Sequence, residues 1–356
     1  MNASKYGCSG LDERRILSII VPSYNMEKYL PKCLGSLVLA PEQMDRLEVL
    51  IVNDGSKDRT SEIAHEFAAK CPGTFKVIDK PNGNYGSCIN AALPQATGKF
   101  VKVLDADDSY DTANLEKFLV FLETCEADLA ISNFVEVDDK GNRLTEHLYD
   151  YPTEGCFSLE SYLDDRRYHL WMHAMAYRTA IFREFTYQQT EGVSYSDTEW
   201  TLVPLVGVKR VAFFSEVVYL YCTSRDGRTM SGDSFAKNFW MAGKVVLHVL
   251  KQYVALAQDL DSSRRRSIDA RIVECMSGYY FGAIFGYGAH EIKVDLDGFD
   301  RELRVLSKAL YDQCADAQYS KRYPCHFIRA WRSHSAFGRF KLWSCRVYTK
   351  FARRLG

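Results

Sequence analysis

The sequence predicts an α/β fold, a mostly parallel sheet flanked by helices, followed by a mainly helical C-terminal extension. Two observations carry this expectation. Short β-branched runs alternate with helix-patterned stretches about every 25–30 residues between positions 16 and 135, the rhythm of right-handed strand–helix–strand crossovers. The runs are predominantly apolar rather than alternating, Ile16–Val21 above all, as strands buried on both faces are.

Ile16–Val21 is the first such run, and Pro22-Ser-Tyr-Asn25 follows it as a loop. Leu30, Cys33, Leu34, Leu37 and Val38 then recur at helical spacing, with Pro31 tolerated in the first turn. Leu47–Val52 is a second buried strand and runs into Asn53-Asp54-Gly55-Ser56. Ile63, Ala64, Phe67 and Ala68 share a helix face that Pro72-Gly73 ends. Phe75–Ile78 predicts strand three, Gly86–Ala96 a helix with an awkward Pro94, and Phe100–Leu104 strand four, which leads directly into Asp105. Leu115–Leu122 is helical and Leu129–Val137 a further strand. Residues 155–235 mix short helices and strands, and 236–310 look mainly helical.

Composition narrows the function classes. The 356 residues suggest two domains, or one large domain with an appendage. With 47% apolar and 13% aromatic residues the chain can build a core, which excludes disorder as its main state. A formal charge of −1 does not fit a general nucleic-acid binder. Residues 321–356 nevertheless hold ten Lys/Arg and no acidic residue, leaving 35 cationic against 46 acidic side chains before them. Met1–Gly10 lacks the apolar core of a signal peptide. Ile272–Ala289 is interrupted by Glu274 and four glycines and reads as a buried helix rather than a membrane span. Eleven cysteines without a CxxC pair or zinc spacing suit reduced thiols and a cytoplasmic setting. No GxGxxG follows the first strand and no GxxxxGK[ST] occurs, which disfavours dehydrogenases and P-loop enzymes.

In parallel sheets, ligands bind beyond the carboxyl ends of the strands. Three polar loops fall there: Ser23-Tyr24-Asn25, Asp54-Gly55-Ser56 and Asp105-Ala-Asp-Asp108. Three carboxylates in four residues repel one another unless a cation joins them, and hard oxygen ligands suit Mg²⁺ or Mn²⁺. The alternative is capping, with Asp108, Ser109 or Asp111 at the start of the next helix. Asp54 sits in a turn whose Gly55 permits positive φ. It either belongs to a plain strand-to-helix turn or accepts a hydrogen bond from a base or ribose.

Leu17-Ser-Ile-Ile-Val-Pro-Ser-Tyr-Asn25, Val52-Asn-Asp-Gly-Ser56, Gly98-Lys-Phe-Val-Lys-Val-Leu104 and Asp105-Ala-Asp-Asp108 together resemble family 2 inverting glycosyltransferases of the GT-A, Rossmann-like fold. The resemblance covers about 120 residues, with a looser likeness to about residue 232. It implies a metal-assisted hexosyltransferase of polysaccharide or cell-envelope biosynthesis that uses a nucleotide-diphospho-sugar, usually UDP-linked. It also implies a glycan or lipid-linked acceptor. Pro22 and Tyr24 would flank the base and Asp54 would contact it. Lys80-Pro-Asn82 and the loop to Gly86 would border ribose and sugar. Asp105 would hold hydroxyls, and Asp107 would bind Mn²⁺ or Mg²⁺. The family's later acidic motif, usually Glu-Asp, is matched best by Tyr195-Ser-Asp197-Thr-Glu199-Trp200, with Ser196 in place of the Glu. This implies Asp197 as general base, with Glu199 as the alternative and helix capping as the structural reading. Arg225 and Arg228 suit phosphate contacts in a loop closing over the donor. Trp171 and His173 lie where the family places acceptor-side residues.

The implied organisation is an N-terminal tail (1–15), a nucleotide-sugar half (16–140), an acceptor half (141–235), a helical extension (236–320) and a basic amphipathic tail (321–356). In that tail Phe340, Trp343, Val347, Phe351 and Leu355 would share a helix face, with Arg339, Arg346, Lys350 and Arg353 to the other side. Such a helix suits an anionic membrane surface, and so a peripheral place at the inner membrane face. Packing on the protein and an oligomer contact are the alternatives, and nucleic acid is not expected. Two other functions compete. A nucleotidyltransferase would need a Gly-rich, Arg-containing loop after strand one, which Pro22-Ser-Tyr-Asn25 is not. A non-catalytic sugar- or partner-binding module would fit the Ser196 departure.

Overall fold

The structure, a computed structural model, describes residues 14–224, 232–286, 295–320 and 325–355. The chain divides into two compact units, Met1–Arg228 and Thr229–Gly356.

The first unit opens with β1 (Leu17–Ser23), α1 (Leu30–Gly35), α2 (Pro41–Met44), β2 (Leu47–Asn53), α3 (Thr60–Lys70) and β3 (Phe75–Asp79). Every residue of β1 and β2 is buried, which is why both strands are mainly apolar and their internal polar residues, Ser18 and Glu48, are hydrogen-bonded to each other. Next come α4 (Asn84–Ala92), β4 (Phe100–Val103), β5 (Ser109–Tyr110), α5 (Thr112–Thr124) and β6 (Leu129–Val137). Pro94 explains the shortened α4: the helix passes into a 3₁₀ turn, Leu93–Gln95, because proline has no N–H to continue the ladder. Asp111, not Asp108 or Ser109, caps α5 by accepting from Asn114 N at 3.0 Å. The unit closes with β7 (Arg143–His147), β8 (Phe157–Ser158), α6 (Leu159–Asp164), β9 (Met175–Arg178), α7 (Ile181–Glu184), α8 (Asp197–Leu202) and β10 (Arg210–Cys222).

One sheet runs β3-β2-β1-β4-β9-β6-β10-β5, with β7 on β6 and β8 on β10. The pairs β3–β2, β2–β1, β1–β4 and β6–β10 are parallel. Between these two parallel blocks lies β9, antiparallel to both neighbours, so that Tyr177 is opposite Val101 on one side and Leu129 on the other.

Two buried charges hold this sheet. Glu48 on β2 accepts from Ser18 Oγ (2.6 Å), Thr97 N (2.7 Å) and Lys76 Nζ (2.8 Å). Burial pulls its pKa up, but the bonds from Lys76, Ser18 and Thr97 hold the carboxyl below its ordinary value. Lys102 on β4 is fully buried and donates to the carbonyls of His173 and Met175. Burial pushes its ammonium well below the usual lysine range.

The second unit is helical over its described residues: α9 (Gly232–Leu256), α10 (Ser262–Phe281), α11 (Leu296–Leu306), α12 (Lys308–Cys314), α13 (Phe327–Arg332) and α14 (Ala336–Leu355). Asp261 caps α10 through Ser263 N and Arg264 N. The expected helix from Ile272 continues only to Phe281 and then widens into a π-helical turn, Gly282–Gly286. Its core gathers Tyr279, Tyr280, Phe299 and Leu303, and Asp300 accepts from Arg332 Nε at 2.7 Å. No described helix is long and apolar enough to cross a membrane. On α14, Gly338 and Cys345 are buried, whereas Phe337, Phe340 and Trp343 are 67%, 59% and 59% exposed. The ten described cysteines form no disulfide.

Candidate functional site

The parallel strands β1, β2 and β4 end on one edge, and the loops beyond them interlock. Asp54 N donates to Ser23 O at 2.9 Å. Asn25 N donates to Ser56 Oγ (3.0 Å), Met26 N to Thr60 Oγ1 (2.6 Å), and Lys57 N to Asn25 Oδ1 (2.8 Å). Pro22 is therefore fixed in the buried part of β1, and Tyr24 stands 44% exposed at the rim.

Asp54 is nearly buried and its carboxylate is fully engaged. Oδ1 accepts from Lys80 Nζ (2.7 Å) and Gly83 N (2.9 Å), and Oδ2 from Asn84 N (2.9 Å) and Asn82 Nδ2 (3.1 Å). Four donors fill the lone-pair sites of a carboxylate. Asp54 thus shapes the 80–84 loop, and Asn82 serves it. Gly55 takes φ +70°, and Gly86 is buried so tightly against the next segment that a Cβ there would lie 2.3 Å from Thr190 O.

The acidic loop after β4 divides its tasks. Asp108 is buried and tied to β10: Tyr219 Oη donates to its Oδ2 at 2.6 Å, and Cys222 N to its Oδ1 at 2.7 Å. Burial, then Asp107 and Asp105, push its carboxyl well above the usual range. Tyr219 Oη also accepts from Asp105 N at 3.2 Å. Asp105 and Asp107 are half-buried. The structure brings ligand atoms of Asp105, Asp108 and His173 within 4.8 Å of one another. Asp107, the residue singled out by sequence, lies outside that trio but acts electrostatically on Asp108 and on the buried Cys33 thiol. His173 is 6% exposed, with its Nδ1 buried and without a hydrogen-bond partner. Burial, helped by Lys102 and His147, pushes its pKa down to about 3, so the imidazole is neutral. Two carboxylates and a neutral imidazole are a donor set that fits a divalent cation, with the imidazole favouring Mn²⁺ over Mg²⁺.

Asp197 opens α8 and is exposed to solvent, whereas Glu199 is fully buried. Surrounding protein pushes the Asp197 carboxyl above its ordinary value. Glu199 adds to the rise, and the N–H groups of Thr198 and Asp197 oppose it. Glu199 accepts from Thr190 N (2.7 Å) and Thr190 Oγ1 (2.6 Å). Before α8, Tyr195 holds the left-handed conformation at φ +71°, and Ser196 is completely buried. Tyr85 links the two acidic regions: burial first, then Asp105 and Asp197, raise its hydroxyl well above the usual tyrosine range.

His173 also stacks on Tyr221 at 4.3 Å and lies 5.9 Å from the Trp171 ring. Arg225 and Arg228 lie outside the described residues.

Residues 18–186 match the family described as Glycosyl transferase family 2. The chain carries a family 2 glycosyltransferase domain. Among its relatives is the poly(ribitol-phosphate) beta-N-acetylglucosaminyltransferase TarS of Staphylococcus aureus (strain Mu50 / ATCC 700699). The two are 28% identical over 215 residues, 60% of this chain and 36% of that protein. The putative glycosyltransferase EpsH of Bacillus subtilis (strain 168) is 37% identical over 133 residues, 37% of this chain and 38% of its own length. The chain therefore spans little more than a third of these curated relatives. Among solved structures, S. aureus TarS 1–349 in complex with UDP superposes with a TM-score of 0.65 at 21% identity. The superposition covers 96% of this chain and 92% of that one. The same protein with UDP-GlcNAc gives 0.63 at 20% identity. The architecture of the family 2 domain is thus the GT-A fold.

Sequence reasoning missed Tyr85, Tyr219 and Lys102. Each looks like an ordinary core or loop residue in the chain, and each acquires its role from a partner at least 70 residues away, as Lys102 does from His173. The only available signal was a lysine inside the apolar run Phe100–Leu104.

Proposed function

We propose that this chain is an inverting glycosyltransferase that moves a sugar from a UDP-linked donor to a hydroxyl of a glycan or lipid-linked acceptor. The observation that carries this reading is the cluster of Asp105, Asp108 and His173 beyond the parallel strands of a segment, residues 18–186, that matches family 2. UDP-bound TarS, of the same fold, supports a UDP donor.

In this reading Pro22 and Tyr24 flank the base, and Asp54 sets the loop that contacts it. Asp105 holds donor hydroxyls. Asp107, with Asp105, Asp108 and His173 as the neighbouring donors, would hold Mn²⁺ or Mg²⁺. When bound, such a cation stabilises negative charge developing on the departing diphosphate. Arg225 and Arg228 would meet the same charge. Asp197 accepts the proton of the acceptor hydroxyl as its oxygen attacks the anomeric carbon from the face opposite the diphosphate. The new C–O bond forms while the old one breaks and UDP leaves with the electron pair. A single base suffices because the configuration inverts, and such help is typically worth ~10²–10⁴ in rate. A raised pKa suits a base that must be ionised yet willing to take a proton. The basic segment 321–356 would hold the enzyme, on the cytoplasmic side, against an anionic membrane surface.

The competing reading, a non-catalytic binding module, draws on Ser196 where the family usually has Glu. Calorimetry with UDP and Mn²⁺, followed by a donor panel assayed for UDP release, separates the two. Mn²⁺-dependent UDP binding with turnover supports the transferase, and binding without turnover for any donor supports the module.

A further inference from the structure

We infer that the acceptor half carries a separate sugar subsite, a cleft around Trp171, Tyr168 and His147, that takes a neutral, hydroxyl-rich segment of the acceptor rather than a phosphodiester chain. Its role as an acceptor subsite rests on the glycosyltransferase reading, and its ligand chemistry does not.

The cleft, of about 200 Å³, lies between the end of β7 and the stretch before β9, with Glu146, His147, Tyr149, Arg167, Tyr168 and Trp171 among its walls. That is small beside the roughly 300–1,000 Å³ of pockets for drug-sized ligands, and it suits a sugar ring. Its walls are braced. The His147 ring stacks on Phe134 at 4.2 Å and 4°, with Nε2 2.9 Å from Glu136 Oε1. Trp171 packs 5.4 Å from His147 and 5.8 Å from Phe134. Tyr168 Oη accepts from Asp150 N at 2.8 Å, and Tyr149 N donates to Asn133 Oδ1 at 2.8 Å. Rings held this way lose little freedom when a ligand packs on them. Aromatic faces take the C–H side of a sugar ring, while the surrounding carboxylate, imidazoles and phenol offer hydrogen bonds to its hydroxyls.

Charge decides between neutral and anionic chains. The Arg167 guanidinium pairs with Asp165, through Nε at 3.0 Å and Nη2 at 2.8 Å, and its Nη1 lies 3.9 Å from Asp150 Oδ2. Glu146 adds a negative wall and takes Arg143 Nη1 at 3.1 Å. A phosphodiester chain is favoured by a surplus of guanidinium or ammonium groups, whereas the ionic side chains of the cleft, Arg167 and Glu146, are each already paired with an opposite charge. TarS carries poly(ribitol-phosphate) in its name, which makes that polymer the discriminating probe. The cleft is also connected to the proposed reaction centre, because Trp171 contacts His173, which joins the Asp105–Asp108 trio.

The test uses the full chain, ligand-observed NMR and two probe sets: neutral oligosaccharides of glucose, galactose and N-acetylglucosamine, and poly(ribitol phosphate). At least one neutral probe should bind the wild type. Trp171→Ala and Tyr168→Ala should each weaken it at least tenfold, with Trp171→Phe retaining most binding. UDP–Mn²⁺ affinity in the same variants reports that they are folded. Failure of every neutral probe, preference for the polyol phosphate, or undiminished binding in both alanine variants overturns the subsite. Absence of UDP binding or turnover in the wild type overturns the transferase reading separately.

Discussion

Both carboxylate oxygens of Glu199 are held by a single residue, Thr190, one through its backbone N–H and one through its hydroxyl. A group so engaged, and fully buried, positions the segment that packs on Gly86, which in the proposed mechanism leaves the proton-accepting role to Asp197. Asp197→Asn is expected to lower kcat by ~10²–10⁴ with UDP affinity unchanged. Glu199→Gln should act mainly on stability, costing about 1–3 kcal/mol in denaturant unfolding. Wild-type kcat in Asp197→Asn would remove that residue from the chemistry.

The raised Asp197 carboxyl has a signature in pH. A base works ionised, so activity falls as pH drops through its pKa. The acid limb of kcat/KM should lie above the ordinary Asp value of ~3.9. The limb should disappear in Asp197→Asn, and a wild-type limb at or below pH 4 would contradict the assignment.

Cation binding can be divided among the acidic loop and His173. Asp107→Ala should abolish the Mn²⁺-dependent gain in UDP affinity measured by calorimetry. His173→Ala should weaken the Mn²⁺ response more than the Mg²⁺ response, because imidazole favours the former ion. Equal UDP affinity with and without Mn²⁺ in the wild type would argue against a cation at this edge.

Lys102 braces the segment bearing His173. Lys102→Met removes a buried charge of similar length, so stability should change by no more than about 1–3 kcal/mol. Hydrogen exchange should accelerate in residues 171–176, and acceptor KM should rise while UDP affinity holds. Unaltered exchange there would show that the ammonium has no bracing role.

The exposed Phe337, Phe340 and Trp343 of α14 predict binding to anionic lipid. Replacing all three by Ser should reduce co-sedimentation with phosphatidylglycerol vesicles at least tenfold. Stability should barely change, because these side chains lie largely in solvent. Equal sedimentation would place the membrane contact elsewhere or nowhere.

Much of this arrangement is legible in the chain because of burial. Strands such as β1 and β2, covered on both faces, are apolar apart from the mutually bonded Ser18 and Glu48, and their polar ends stand out. β9 escapes the same reading: four residues, Met175–Arg178, carry too little pattern, and only their neighbours β4 and β6 make them a strand. The Asp54 turn was visible, but its four donors come from residues 80–84, joined to it only by folding. Asp197 and Glu199 look alike two positions apart. Only burial and Thr190 separate them. On α14 periodicity grouped Phe340 and Trp343 correctly, but the side turned inward belongs to Gly338 and Cys345.

The antiparallel insertion of β9 has a mechanical consequence. A strand hydrogen-bonded to β4 on one flank and β6 on the other leaves no hinge between the donor edge and the wall bearing Trp171 and His173. In the proposed reaction the two substrates would therefore meet on one continuous plate. Entry and exit would then be timed by the loops at its rim, and changes in acceptor preference would come from side chains on that wall.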